Sequence, residues 1–93
     1  MKKISLAITG CMGRMGRQLI KSSNSDKIFK LVTITESKKI KKKIHGLTPV
    51  VNSENALKNV DLIIDFTTPK CTLEILRIVS KLKKKIVIGT TGF

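Results

Sequence analysis

Residues 8–20 read ITGCMGRMGRQLI, with glycines at 10, 13 and 16 between an apolar run and a helix-like stretch. Glycine recurs in this way where a chain turns tightly and where a ligand must reach backbone N–H groups that a Cβ would shield. After a strand and at the start of a helix, the pattern describes a phosphate site. Gly10 allows the tight turn, Gly13 the approach of a pyrophosphate, and Gly16 the packing of helix against strand. The spacing is one residue longer than the common G-x-G-x-x-G, and a plain tight turn with a helix–strand contact stays open as the alternative. Glu36 stands twenty residues beyond Gly16 at the end of a second β-rich run. A carboxylate there accepts the ribose hydroxyls of a dinucleotide; the plainer reading is a strand-end acid paired with nearby lysines. Ser37, Lys38 and Lys39 follow, and a lysine offers a 2′-phosphate a point charge, so NAD or NADP is the expected ligand, with mixed use. Arg14 flanks the phosphates or the adenine, or is a surface arginine. Cys11 and Met12 contribute mainly backbone N–H groups.

Strands and helices in alternation must hold these residues in place. A strand is expected over residues 4–9, then a helix over 13–23 whose apolar positions are Met15, Leu19 and Ile20. The β-rich run at 28–35 leads to Glu36, and the lysine-rich residues 37–46 belong on the surface. A short strand at 49–51 and a helix at 53–58 capped by Ser53 come next. Residues 60–66, VDLIIDF, are nearly continuously apolar, as in a parallel strand covered on both faces. Pro69 suits the first turn of a helix, in which Leu73, Leu76, Val79 and Leu82 recur at spacing three and Ile75 and Ile78 widen the stripe. Lys81 and Lys83–Lys85 suit the negative end of that helix. A buried-type strand at 86–88 and a Gly-Thr-Thr-Gly turn complete the sequence. The expected fold class is α/β, a Rossmann-like doubly wound parallel sheet that is truncated, with residues 1–93 forming one dinucleotide-binding domain expected to be incomplete at its C-terminus.

Ninety-three residues supply one core at most, and no apolar run approaches the roughly 18 residues of a membrane span. The Met-Lys-Lys start is followed by a run broken at Gly10 and Arg14 with no cleavage site, so it reads as a first strand rather than a secretory signal. Cys11 and Cys71 lie in no C-x-x-C or Cys/His cluster, which supports neither zinc nor a disulfide framework and fits reduced thiols in a cytoplasm. His45 has no partner nearby in sequence and reads as solvated; no metal ligand is assigned. The net charge of +13 invites a nucleic-acid reading. Yet only three of nineteen basic residues are Arg, and Phe29 and Phe66 lie in apolar runs, so stacking platforms are missing and a solvated basic surface is expected instead.

Three segments, GCMGRMGR at 10–17, IDFTTPKCTLE at 64–74 and VIGTTGF at 87–93, resemble in content and order the dinucleotide-binding half of the 4-hydroxy-tetrahydrodipicolinate reductase family. The resemblance spans the chain. It implies a tetrameric cytoplasmic enzyme of the diaminopimelate route to lysine that passes hydride from NADH or NADPH to a cyclic unsaturated dicarboxylate. By the same resemblance Gly10, Cys11, Met12, Gly13, Arg14 and Met15 bind the pyrophosphate side and Glu36 the adenosine ribose. Gly89, Thr90 and Thr91 would bind the nicotinamide half, with Phe66 and Thr67 lining the same cleft. Ser37 and Thr68 depart from the family, which often has arginine at both places, and this weakens an NADP preference. The family's paired histidines, lysine and PSGT-like stretch belong to a further domain, so the small dicarboxylate is expected to bind only with that domain and no catalytic residue is assigned here. Apolar surface beside the last strand and marginal stability of the chain alone are expected. The rival reading is a non-catalytic module that binds a dinucleotide or, through its lysines, nucleic acid.

Overall fold

The computed structural model describes residues 3–10, 13–24, 27–44 and 46–89. Cys11, Met12, His45, Thr90, Thr91 and Phe93 lie outside the described residues. The elements run β1 (Ile4–Thr9), α1 (Arg14–Asn24), β2 (Phe29–Glu36), β3 (Val50–Val51), α2 (Glu54–Leu57), β4 (Leu62–Asp65), α3 (Pro69–Leu82) and β5 (Lys85–Ile88). All strand pairs are parallel, in the order β3-β2-β1-β4-β5. The central strand β1 therefore has its sequence neighbour on one side and a strand some fifty residues later on the other. Between β1 and β4 the winding reverses, which in such sheets opens a crevice at the carboxyl edge.

Alternation along the strands divides the core in two. Leu6 and Ile8 of β1 face α1, packing with Ile20 and Ile34. Ala7 and Ile63 face the other way and meet Leu57 of α2 and Ile75 and Val79 of α3. In β2 the parity is broken by a register shift: Leu6 pairs with Leu31 but Ala7 with Thr33, leaving Val32 as an extra residue. Leu31 and Ile34 consequently both pack on the α1 side although their numbers differ in parity. Glu36 shares Ile34's parity, so the bulge turns it toward the face that carries α1.

Local signals account for the helix ends. The Ser53 hydroxyl accepts the Ala56 N–H at 3.1 Å, the N-cap expected for α2. Pro69 opens α3 as expected, and Thr68 caps it by accepting the Cys71 N–H at 3.4 Å. No helix among the described residues is long and apolar enough to cross a membrane.

Four sequence expectations need correction. Met15 is 47% exposed and does not belong to the inward stripe of α1, which consists of buried Gly16 and Ile20 with Leu19 beside them. Leu73 is 56% exposed, and Thr72 takes the buried place in the first turns of α3. The strand at the end is not buried on both faces: β5 is an edge strand with Val87 52% and Ile88 39% exposed, the apolar surface anticipated there. β4 is also shorter than the run 60–66, since Val60 and Phe66 flank it.

Lys83 ends α3 at φ 55, ψ 42, the left-handed conformation, with its N–H donated to the Val79 carbonyl. That position favours glycine because a Cβ there meets the backbone. Lys83→Gly should raise stability by about 0.5–1 kcal/mol, seen as a higher thermal midpoint; an unchanged or lower midpoint would contradict the strain assigned to this cap.

Candidate functional site

The crevice forms where the turn after β1 faces the loop between β4 and α3. Gly10 has φ +70, and its carbonyl accepts the Gly13 N–H at 3.0 Å. A Cβ on Gly10 would lie 2.7 Å from Thr67 Cγ2 and 3.1 Å from the Phe66 carbonyl oxygen. Glycine is thus required at 10 twice over, by backbone conformation and by the loop pressed against it. Gly13 differs. Among the described residues a Cβ there meets only the Gly10 carbonyl, at an ordinary 3.4 Å. Among the described residues nothing forbids a side chain at 13, and the space it would enter is that of the cleft.

That cleft encloses about 420 Å³. Gly13, Arg14 and Met15 form one wall and Phe66, Thr67 and Gly89 the other. The first turn of α1 contains no acidic residue and begins with Arg14. Its leading N–H groups and the positive end of the helix dipole suit an anion at this wall. On the opposite wall the Phe66 ring lies directly over Gly89, occupying the space that a Cβ at 89 would need. The Gly89 N–H donates to the Asp65 carbonyl at 2.8 Å, which holds the end of β5 against β4.

Beneath that wall lies a buried carboxylate that the sequence reading passed over. Asp65 is fully buried. Its Oδ1 accepts the hydroxyls of Thr9 at 2.5 Å and Thr67 at 2.7 Å, and its Oδ2 that of Thr72 at 2.5 Å. The available signal was an acid ending an otherwise apolar strand, LIID, with threonines two and seven residues further on. A buried charge must be met by donors.

Glu36 does not line the cleft. It stands half-buried at the carboxyl end of β2, one strand beyond β1, with Oε1 accepting the Ser37 N–H at 3.1 Å. Ser37, Lys38 and Lys39 beside it are exposed. Cys71 is a half-buried free thiol in the first turn of α3. Of the expected site residues, the fold therefore brings Gly13, Arg14, Met15 and Gly89 around one cleft, packs Gly10 against the Phe66–Thr67 loop that forms its wall, and leaves Glu36 apart at the end of β2. Cys11, Met12, Thr90 and Thr91 fall outside the described residues.

A parallel sheet of this order, with a glycine turn entering a helix at the point where the winding reverses, defines a Rossmann-like nucleotide-binding unit. Within that class, the chain matches the family model described as dihydrodipicolinate reductase, N-terminus, over residues 4–93, and it belongs to that family. It is 64% identical over 93 residues to the 4-hydroxy-tetrahydrodipicolinate reductase of Pelagibacter ubique (strain HTCC1062), covering 100% of this chain and 36% of that protein. The enzyme of the same name from Buchnera aphidicola subsp. Acyrthosiphon pisum (strain Tuc7) is 44% identical over 103 residues, covering 99% of this chain and 38% of its own length. Among solved structures, dipicolinate-bound dihydrodipicolinate reductase from Paenisporosarcina sp. TG-14 superposes with a TM-score of 0.80 at 26% identity, over 99% of this chain and 39% of that one. The chain thus spans little more than a third of the length of these relatives.

The two turn glycines should separate in a stability measurement. Gly10→Ala is expected to cost about 2–4 kcal/mol, from the left-handed backbone and the contact with Thr67. Gly13→Ala is expected to stay within about 0.5 kcal/mol of the parent chain. Denaturant unfolding of both variants checks this, and equal losses would contradict the assignment.

Proposed function

We propose that this chain is the cofactor-binding part of a 4-hydroxy-tetrahydrodipicolinate reductase, an NAD(P)H-dependent oxidoreductase of lysine biosynthesis, with residues 1–93 as its dinucleotide-binding domain. The observation that carries the reading is Gly13, whose missing side chain serves the cleft and not the packing of the protein. Family membership supports the same reading. When bound, the cofactor supplies a hydride.

The residues of the chain divide the work of holding it. The N–H groups at the start of α1 and the Gly10–Gly13 turn take the pyrophosphate. Glu36 accepts the adenosine ribose hydroxyls, while Lys38 or Lys39 offers a cation to a 2′-phosphate, so both cofactors are used. Phe66, Thr67 and Gly89, with Thr90 and Thr91, hold the nicotinamide half. The reading is supported by the adjacency of β2, β1, β4 and β5, whose carboxyl ends carry or lead into Glu36, Gly10, Phe66 and Gly89; three inter-strand steps of about 4.8 Å make an edge of roughly 14 Å. The dicarboxylate substrate and a homotetrameric, cytoplasmic enzyme belong to the same proposal, drawn from the family for the whole protein.

Titration with NADH and NADPH, followed by nicotinamide fluorescence, tests the reading. Both should saturate, and Gly13→Val should abolish binding of each while the melting curve stays that of the parent. Replacing Lys38 and Lys39 together by alanine should weaken NADPH by about tenfold and leave NADH unchanged. Binding that survives in a folded Gly13→Val chain would refute the assigned phosphate site.

A further inference from the structure

Asp65 lies just outside the cleft, and its chemistry is costly for a purely structural position. The other residues of β4 are Leu62, Ile63 and Ile64. An apolar residue at 65 would complete the strand, whereas a carboxylate removed from water is tolerated only when its lone pairs are met. Here they are met by threonines on three separate pieces of chain: Thr9 on β1, Thr67 in the β4–α3 loop and Thr72 in α3.

We infer that Asp65 is a positioning residue, which through the hydroxyls of Thr67 and Thr72 sets the cleft wall that receives the nicotinamide half of the dinucleotide. This rests on the dinucleotide reading given above. A threonine side chain has few staggered states at χ1, so anchoring Oγ1 also fixes its methyl group. With Thr67 Oγ1 held by Asp65 at 2.7 Å, Cγ2 points at Gly10, 2.7 Å from where a Cβ would be. Phe66, next in the chain, presents its carbonyl to Gly10 and its ring to Gly89. Thr72 Oγ1, 3.2 Å from Thr67 Oγ1, locks the other carboxylate oxygen to α3. The wall is therefore set before a ligand arrives, and binding does not have to order it.

The test compares NADH with ADP-ribose, which lacks only the nicotinamide, on the 93-residue chain and on Asp65→Asn, Thr72→Val and Thr72→Ser. Neither Asp65 nor Thr72 lines the cleft. The parent should bind NADH more tightly than ADP-ribose. Asp65→Asn and Thr72→Val should each lower NADH affinity by about tenfold, the equivalent of one charge-assisted hydrogen bond, while ADP-ribose affinity stays within about twofold. Thr72→Ser, which keeps the hydroxyl, should restore NADH binding. If Asp65→Asn fails to fold, the Thr72 pair decides alone. Parallel loss of both ligands in Thr72→Val, unchanged NADH affinity in a folded variant, or equal affinity of the parent for the two ligands would each overturn the inference. A parent chain that binds neither ligand would bring down the dinucleotide reading itself, and this inference with it.

Discussion

One fully buried carboxylate, at the carboxyl end of the strand beside the centre of the sheet, is satisfied by hydroxyls from three different elements. Each such bond to a charged acceptor contributes on the order of 1.5–3 kcal/mol, and each depends on the others because an unmet lone pair at this depth is penalised. β1, the β4–α3 loop and α3 are therefore placed relative to one another by a single group. Its backbone carbonyl extends the same control to β5 through the Gly89 N–H. The amino edge of the sheet has a smaller counterpart: Asp61 accepts both the N–H and the hydroxyl of Ser5, pinning the beginnings of β1 and β4 together.

The three glycines around the cleft are glycine for different reasons. At 10 the backbone conformation and the loop above it exclude a side chain, and at 89 the Phe66 ring does so. At 13 the protein leaves the space open. A motif written as a string of equally spaced glycines conceals this division, and among the described residues it is Gly13, where a Cβ meets nothing closer than 3.4 Å, that speaks most directly of a ligand.

Most of the architecture was legible because the signals were local. Gly10 bounded the run of β1, a β-rich run ending in Glu36 marked β2, a nearly continuous apolar run marked β4, Ser53 and Pro69 marked two helix starts, and alternation of types implied parallel crossovers. Failures occurred where a residue's environment is decided by partners distant in sequence. Gly16 leads the inward face of α1, as its reading as a helix–strand contact implied, but with no side chain to register in a hydrophobic pattern it left Met15 counted in that stripe, whereas Met15 lies at the cleft, as the resemblance implied. Thr72 is buried because it serves Asp65, whereas the neighbouring Leu73 is exposed. The extra residue Val32 reverses the parity of β2 and with it the face to which Glu36 belongs, and no local composition announces a bulge. Nor does a strand's own sequence state whether it will stand inside a sheet or, like β5, at its edge.

The pairing of the central strand also orders events during synthesis. β1 can close on β2 through α1 once the first thirty-odd residues have emerged, a contact of modest sequence separation. Its other edge must wait for β4, since Thr9 and Asp65 are 56 residues apart. Loop-closure entropy delays such long-range pairing. Until residues 62–65 are available, the central strand has a partner for one edge only and the hydroxyl of Thr9 lacks the Asp65 carboxylate that accepts it in the complete sheet. Only arrival of the IIDF segment converts that half-built sheet into one with a cleft.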